Sequence, residues 1–422
     1  MKKVYIESNG CSVVRHDTQR YSKYFRVNGW QEVDSPRKAD LVLFTTCAVT
    51  QSTEDFSIAA IKRLKKEIKK GARLIISGCL PKINPEGLSN EFKGVSFTTN
   101  EENILDDLIK AKVKIADIFW DRNIVREHSL GDPELAYSQQ EIEELRLAES
   151  LAKKLKNDRY LEIYNYMTKG RFLWKEKDLF EVKVADGCNY RCSYCATKNA
   201  KGDLKSRDPE KIIKEFKLGV RRGYPKIMLM GDEVGEYGRD RGISLVDLIE
   251  ELIPISGNSR IGLRYVTPES LIRQYGKLKK YFRTGKIYYF CSSFQSGSPK
   301  ILKLMNRPQN INEFISLMNE MTKDCPLVFK HTQIIVGFPQ ETERDFNQTL
   351  EVLKNNCFEY ITVNKYSKRP HTAAINIPGH IPKAIIDARY KKARHLVSEL
   401  RKENLKNKIY NELLRQFSTR NK

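Results

Sequence analysis

The sequence has no apolar run that approaches the ~18 residues needed to cross a membrane. Its start, from Met1 to Glu7, reaches a charge too early to be a signal peptide. Histidine is scarce, and none of the six is spaced as His-x-x-His or His-Glu-x-x-His, so the ligand pattern of zinc hydrolases is missing. These absences predict a cytoplasmic protein with no membrane partner. Its nine cysteines would then be free thiols or metal ligands rather than disulfides.

Acidic residues are also under-represented, because 53 Asp and Glu stand against 75 Lys and Arg, which gives a formal net charge of +22. A composition of 40% hydrophobic and 30% charged residues is typical of a globular protein, and 422 residues suffice for two or three domains. The positive excess favours an anionic partner, nucleic acid first. A highly soluble protein without such a partner is the alternative.

Apolar runs and helical stretches alternate over the first 110 residues. Runs at 4–6, 41–44 and 74–76 predict buried parallel strands, and apolar residues at helical spacing predict a helix over 56–70. The alternation predicts an N-terminal doubly wound α/β domain with a parallel sheet, to which we assign residues 1–119.

A second alternation begins at residue 179, with helices such as 209–221 between its strands. The predicted strands are 180–184, 226–230, 261–265, 286–290, 332–336 and 360–363. Six βα units predict a partial parallel barrel, since eight would close it. We assign residues 179–380 to this (β/α)6 barrel.

Two charged segments flank the barrel. Residues 120–178 are predicted to form a charged helical linker or insertion. Aromatic and basic residues interleave over 160–171 and would suit binding of nucleic acid, but a solvated linker is the simpler interpretation. Residues 381–422 are predicted to form a basic C-terminal helix, since 383–422 contains 12 Lys and Arg against 4 Asp and Glu. This helix would either contact RNA or pack on the barrel with its charges in solvent.

Three cysteines form a compact motif directly after the first barrel strand. Cys188, Cys192 and Cys195 have Cys-x3-Cys-x2-Cys spacing, on the face where barrels of this kind carry out their chemistry. Three thiolates hold three irons of a four-iron cluster and leave the fourth iron open. Zinc is a poor alternative, because no fourth protein ligand is nearby.

Three further cysteines follow strands of the N-terminal domain. Cys11, Cys47 and Cys79 each come at the carboxyl end of a predicted parallel strand, where open α/β sheets bind their ligands. A single such cysteine is more often a buried apolar residue, but three at one sheet edge predict a second three-thiolate site. The remaining cysteines are predicted to be structural, namely Cys291, Cys325 and Cys357.

Other loops on the same face of the barrel carry small and polar residues, where glycine permits close approach of the backbone and carboxylates bind ribose or amino groups. The predicted cofactor-binding residues are Tyr194, Gly231, Asp232, Glu233 and Gln295. No residue is assigned to acid–base catalysis.

The stretch from Gly187 to Cys195 resembles the cluster loop of radical S-adenosylmethionine (SAM) enzymes, and further motifs resemble the methylthiotransferase family. These are Cys11, Thr46-Cys47-Ala48-Val49-Thr50, Ser77-Gly78-Cys79, Gly202, Ser206-Arg207, Tyr237-Gly238, Gln295-Ser296-Gly297-Ser298, Met305-Asn306-Arg307, Ile335-Val336-Gly337-Phe338-Pro339, Glu341-Thr342, Tyr366-Ser367, Arg369-Pro370 and Thr372-Ala373. They cover residues 1–110 and 179–400 in order.

The sequence departs from the family pattern at four positions. Val14 and Thr45 stand where members usually carry Asn, Gln333 stands where Asp is common, and Gln340 stands where Gly is common. The chain is also expected to lack the small RNA-binding β-barrel of the family, the TRAM domain, and to end in the basic helix instead.

The resemblance implies two cofactor sites. Cys188, Cys192 and Cys195 would hold a 4Fe-4S cluster whose open iron binds SAM, and one electron would cleave SAM to a 5′-deoxyadenosyl radical. The first-domain cysteines would hold an auxiliary 4Fe-4S cluster that carries the sulfur. An electron donor such as flavodoxin or ferredoxin, and a sulfur donor, are the implied partners.

The implied reaction is the insertion of a methylthio group at an unactivated C–H bond. The favoured substrate is C2 of a modified adenosine at position 37 of tRNA. Methylthiolation of a protein or peptide side chain, as in the ribosomal-protein branch of the family, is the first alternative. A catalytically inactive iron–sulfur RNA-binding protein is the second.

Overall fold

The computed structural model describes residues 1–119, 179–355 and 357–420. Its strands are β1 (Lys3–Ser8), β2 (Gln31–Glu32), β3 (Leu41–Thr46), β4 (Arg73–Gly78), β5 (Leu179–Lys183), β6 (Ala185–Asp186), β7 (Lys205–Ser206), β8 (Lys226–Met230), β9 (Arg260–Leu263), β10 (Ile287–Cys291), β11 (Phe329–Val336) and β12 (Tyr360–Lys365). The predicted linker over 120–178 lies outside the described residues, and so do the last two residues of the predicted basic helix.

The helices cover the faces of two separate sheets. They are α1 (Ser12–Val27), α2 (Gln51–Glu67), α3 (Leu80–Ile83), α4 (Pro85–Glu91), α5 (Ile104–Ile109), α6 (Thr197–Lys201), α7 (Pro209–Arg221), α8 (Leu245–Ile255), α9 (Pro268–Arg283), α10 (Pro299–Leu304), α11 (Ile311–Asp324), α12 (Glu343–Lys354) and α13 (Lys383–Arg420). Short 3-10 turns lie at Pro36–Lys38, Thr99–Glu101, Ile115–Asp117, Val234–Glu236, Arg239–Arg241 and Ala373–Asn376.

The N-terminal sheet has four parallel strands in the order β2-β1-β3-β4. Every residue of β3 is buried, and its alternate residues enter two different cores: Val42 and Phe44 pack in one, Leu41 and Leu43 in the other. A sheet buried on both faces is what the uninterrupted apolar runs predicted, and the doubly wound domain is confirmed. From β1 the chain adds β2 on one side and then β3 and β4 on the other. The carboxyl ends of β1 and β3 therefore form the topological switch point of the sheet.

The second sheet has six parallel strands in the order β12-β11-β10-β9-β8-β5. Residues at the helix N-termini cap the helices of this domain, as α7 illustrates: the Asp208 carboxylate accepts a hydrogen bond of 2.9 Å from the Glu210 N–H. Ile212 and Phe216 of the same helix are buried in the core. The sheet does not close, and β5 and β12 are its two outer strands. The predicted partial (β/α)6 barrel is confirmed.

Helix α13 lies against the β12 edge and adds Ala393, Val397 and Leu400 to the barrel core. The part of α13 up to Leu400 is therefore packed on the barrel by an apolar stripe, while basic side chains such as Lys391 and Arg394 are exposed. Among the described residues, no helix combines the length and the apolar character of a membrane span.

Candidate functional site

The three cysteines of the N-terminal domain meet at the carboxyl edge of its sheet. Cys11 immediately precedes α1, Cys47 follows β3, and Cys79 lies between β4 and α3. Hydrogen bonds fix their backbone: the Cys47 N–H donates to Asn9 Oδ1 at 3.1 Å, and the Cys79 N–H donates to the Thr46 carbonyl at 3.0 Å. Burial raises the pKa of Cys79 well above its ordinary value, and the neighbouring Cys47 and Cys11 raise it further. The three cysteines thus share one edge of the sheet, each fixed at or beside the end of a strand or the start of a helix.

The second set of three thiols lies in the loop between β6 and α6. The Cys195 N–H donates to the Cys192 carbonyl at 3.0 Å, and the Tyr190 N–H donates to Cys188 Sγ at 3.4 Å. Burial, followed by the charge of Glu233, raises the pKa of Cys188 to about 12. This loop is therefore a compact turn whose three thiols are half-buried.

A glycine in the left-handed region precedes one cysteine of each set. Gly78 has φ +96°, and a Cβ there would lie 2.3 Å from the Thr46 carbonyl oxygen. Gly187 has φ +70°, and a Cβ there would lie 2.2 Å from the Asp203 carbonyl oxygen. Both contacts are with backbone, which cannot swing away as a side chain can. Any larger residue would therefore displace Cys79 or Cys188.

All six cysteines line a single cavity of about 1860 Å3 between the two domains. Of the predicted cofactor-binding residues, Tyr194, Asp232, Glu233 and Gln295 also line it. Gly231 does not: a Cβ there would meet the Ala185 carbonyl oxygen at 2.8 Å, so the glycine serves the packing of two chain segments. A contact of Gly231 with a cofactor stays a prediction.

Two adjacent carboxylates lie in this cavity with different environments. Asp232 Oδ2 accepts a hydrogen bond of 2.8 Å from the Gly187 N–H, which holds the start of the cysteine loop. Glu233 Oε1 accepts hydrogen bonds from the Thr267 N–H at 3.0 Å and the Gly235 N–H at 3.1 Å. Burial raises the pKa of Glu233 to about 8, because the charged form loses its hydration.

Arg307 is a cavity residue that the prediction of cofactor contacts missed. Its Nη1 donates to Cys192 Sγ at 3.5 Å and to the Tyr194 hydroxyl at 3.4 Å, while Nη2 donates to the Ser293 carbonyl at 2.8 Å. A guanidinium stays protonated in proteins, so it places a positive charge beside the Cys192 sulfur. Only its place in the Met305-Asn306-Arg307 motif could have indicated this role.

Two further cavity residues have strained backbones. Gln295 and Tyr265 have φ angles of +67° and +64°, which side-chain-bearing residues rarely adopt. Gln295 is 8% exposed, and its Oε1 has no hydrogen-bond partner within the described part of the chain. A buried amide oxygen without a partner is costly, so it fits a ligand that brings a donor such as an amine. Tyr265 was not predicted, because the strain depends on the folded loop after β9.

The donor set fits two iron–sulfur clusters. The nine cysteines lie among the described residues and are free, and each set of three thiols lines the same cavity. Within the described ranges, no three or more Cys, His, Asp or Glu side chains close around a point as the ligands of one ion would. A four-iron cluster is wider than one ion, so thiols at its corners stand farther apart. The cations Arg307 and Lys201 also line the cavity and would offset the negative charge of thiolate-bound clusters.

Comparisons with known proteins agree with this architecture. Residues 182–353 match the model of the radical SAM superfamily, and residues 3–99 match a family described as uncharacterized protein family UPF0004. The solved structure of the radical SAM methyltransferase TsrM from Kitasatospora setae has the same fold, with a TM-score of 0.57, 11% identity, and coverage of 89% of this chain and 74% of TsrM. The fold and the cluster loop thus define a radical SAM enzyme.

Relatives identify the branch of that superfamily. A probable threonylcarbamoyladenosine tRNA methylthiotransferase of Pyrococcus abyssi is 30% identical, with coverage of 91% of this chain and 82% of the relative. The tRNA-2-methylthio-N(6)-dimethylallyladenosine synthase of Thermodesulfovibrio yellowstonii is 30% identical, covering 96% and 86%. The ribosomal protein uS12 methylthiotransferase RimO of Campylobacter jejuni is 29% identical, covering 97% and 83%. The chain belongs to the radical SAM methylthiotransferase family, which implies a 4Fe-4S cluster and SAM.

Proposed function

We propose that this methylthiotransferase modifies C2 of an adenosine at position 37 of tRNA, an adenosine that already carries an N6 substituent. The observation that carries the proposal is that both sets of three thiols line one cavity between the domains. A target base held there would lie between a site for SAM and a site for sulfur. Relatives named for two different modified tRNA adenosines support this choice of substrate.

The residues have distinct roles in this proposal. Cys188, Cys192 and Cys195 hold the SAM-binding cluster, and Cys11, Cys47 and Cys79 hold an auxiliary cluster. When bound, these groups supply the one-electron cleavage of SAM and the iron that carries sulfur, respectively. An electron donor and a sulfur donor complete the reaction in the cell, with a flavodoxin or ferredoxin as the class of electron donor.

The other cavity residues orient ligands and exclude water. Asp232 fixes the loop before Cys188 through the Gly187 N–H. Glu233 and Gln295 present buried oxygen atoms to the amino group of SAM, and Arg307 places its positive charge beside Cys192 Sγ while it positions Tyr194. Because these side chains are largely withdrawn from bulk water, their interactions with charge are stronger than in solution.

An RNA substrate is favoured by the part of the cavity wall that α13 and β12 form. Four basic residues line it there or in the loop that follows β12 and are exposed to solvent, namely Lys365, Lys368, Lys383 and Arg394. Tyr390 lies beside them with the Lys365 ammonium 4.7 Å from its ring centre. Cations for phosphates beside an aromatic ring for stacking are the usual parts of a surface that binds single-stranded RNA.

The test is the nucleoside profile of tRNA from cells with and without this gene, measured by digestion and mass spectrometry. Loss of a methylthio-adenosine in the deletion strain supports the proposal, and an unchanged profile contradicts it. The relative named for ribosomal protein uS12 makes a protein side chain the second candidate. That candidate is supported by a protein mass shift that disappears in the same deletion strain.

A further inference from the structure

Two buried ionic contacts join the N-terminal domain to the barrel. One lies at the β5 edge of the open sheet, and the other follows β12, at the opposite edge. The thiol-lined cavity lies between them. Neither contact includes a proposed cluster ligand.

The contact at β5 is a cluster of four charges. Lys183 Nζ lies 2.8 Å from Asp17 Oδ1 and 2.6 Å from Asp186 Oδ1, and Lys201 Nζ lies 3.5 Å from Asp17 Oδ2. Asp17 belongs to α1 of the N-terminal domain, whereas its partners belong to the barrel. The side chains of Asp17, Lys183 and Lys201 are at most 3% exposed. The Asn100 side-chain amide adds a hydrogen bond of 2.7 Å to the Lys201 carbonyl.

The contact after β12 is an arginine–glutamate pair. Arg369 Nη2 pairs with Glu54 Oε2, and Arg369 Nη1 donates to Gln51 Oε1 at 3.0 Å. The Arg369 side chain is 1% exposed and that of Glu54 is 8% exposed. The Gln51 N–H also donates to Ser367 Oγ at 2.8 Å. The first turn of α2 is thereby fixed to the loop that follows β12.

Each ionic contact is joined to a thiol through a short piece of chain. In the N-terminal domain, Asp17 lies on the helix that begins directly after Cys11, and Glu54 lies on the helix that begins after Cys47. In the barrel, Asp186 lies two residues before Cys188. A shift of either contact would therefore move one thiol set relative to the other.

We propose that the Asp17–Lys183–Lys201 and Glu54–Arg369 contacts contain positioning residues that set the separation of the two thiol sets across the cavity. The inference rests on the proposed function, in which the barrel thiols serve SAM cleavage and the N-terminal thiols serve sulfur transfer. SAM cleavage needs the barrel alone, whereas sulfur transfer needs both sets at a fixed spacing. Loss of one contact therefore lowers sulfur transfer without stopping SAM cleavage.

The test uses the full-length enzyme with both clusters and the variant Arg369→Met. We expect the amount of methylthio product per 5′-deoxyadenosine released to fall about tenfold, since a misplacement of an ångström can cost up to roughly a hundredfold in rate. The rate of 5′-deoxyadenosine formation is expected to stay within about twofold of the wild type, because the barrel site is intact. Arg369→Lys keeps the charge opposite Glu54 and is expected to restore most of the product yield.

A matched control separates positioning from general destabilisation. Lys330 is 1% exposed and pairs with Glu359 at 2.9 Å within the barrel domain, so Lys330→Met also removes the cation of a largely buried ion pair. It should lower stability but leave the product yield per 5′-deoxyadenosine unchanged. If Arg369→Met does not fold, Glu54→Gln removes the same charge pair at nearly constant volume. An unchanged yield in the folded variant, or an equal loss in the control, overturns the proposal.

Hydrogen exchange tests the contact independently of turnover. In Arg369→Met, backbone amides at the start of α2 and in residues 366–371 should exchange faster, while those of β8, β9 and β10 should not. An unchanged pattern overturns the positioning role even if no substrate is known. Conversely, a wild type that releases 5′-deoxyadenosine but makes no methylthio product contradicts the proposed function and leaves this exchange result standing.

Discussion

Replacing Gly78 by alanine tests whether the backbone geometry beside Cys79 is essential for the auxiliary site. The left-handed φ of +96° alone costs an alanine about 1–2 kcal/mol. The new Cβ would also lie 2.3 Å from the carbonyl oxygen and 2.6 Å from the nitrogen of Thr46, both atoms of a buried strand. Relief of that contact must move the Cys79 segment and weaken its 3.0 Å hydrogen bond to Thr46, at about 0.5–1.5 kcal/mol.

The same domain contains a matched control. Gly71 has φ +83°, but a Cβ there would meet nothing within 4 Å. Gly71→Ala therefore carries the cost of the left-handed backbone alone, about 1–2 kcal/mol. Gly78→Ala should cost about 1 kcal/mol more, since it adds the weakened hydrogen bond to the same backbone cost.

Urea unfolding of both variants measures the difference in free energy, and iron analysis measures the consequence for the site. Gly78→Ala is expected to lose up to about half of the bound iron, because the other set of thiols is untouched, whereas Gly71→Ala keeps all of it. Equal stability of the two variants together with full iron content in Gly78→Ala would refute the reasoning.

Three further predictions follow from the site. Cys79→Ala should lose roughly half of the bound iron and make no methylthio product, while 5′-deoxyadenosine formation persists. Cys188→Ala should lose both activities, and unchanged iron in Cys79→Ala would count against the auxiliary site. Because burial raises the pKa of Glu233 to about 8, the folded protein keeps a proton that the unfolded chain loses near its ordinary value of 4.5. The free energy of unfolding should therefore fall by up to about 1.4 kcal/mol per pH unit as pH rises from 5 to 8, and Glu233→Gln should flatten this dependence in urea titrations. Parallel pH profiles of the wild type and the variant would contradict the raised pKa of Glu233. Lys368→Glu combined with Arg394→Glu should weaken binding of an anticodon stem-loop RNA and reduce its salt dependence in fluorescence anisotropy, whereas Lys38→Glu, on a side chain that does not line the cavity, should not.

Much of the architecture could be predicted from local sequence. Apolar runs identify buried parallel strands, and a cysteine just after such a strand must lie at the carboxyl edge of the sheet. The placement of Cys11, Cys47 and Cys79 followed from this reasoning without knowledge of any contact. The two-residue strand β2 was missed, since Gln31–Glu32 is too short to show a period.

The contacts between distant segments could not be predicted in this way. Arg307 reaches Cys192 across 115 positions, and Arg369 reaches Glu54 across 315. Their partners depend on how the two domains dock, which leaves no spacing in the sequence. The tight packing of Gly231 could not be predicted either: the sequence showed a glycine beside carboxylates, but not that the Ala185 carbonyl lies against it.

The open barrel has a consequence for how this protein can be divided. A free strand edge exposes unpaired backbone groups and is a template for aggregation. Here His16 of α1 lies 3.4 Å from the Glu181 carbonyl of β5, and α13 lies along β12, so each edge has a cover from outside the sheet. The domain that carries three of the six thiols thus also shields the barrel from other chains. A barrel expressed without it would lose this cover along Leu179–Lys183, so solubility, before any chemistry, would require both halves of the molecule.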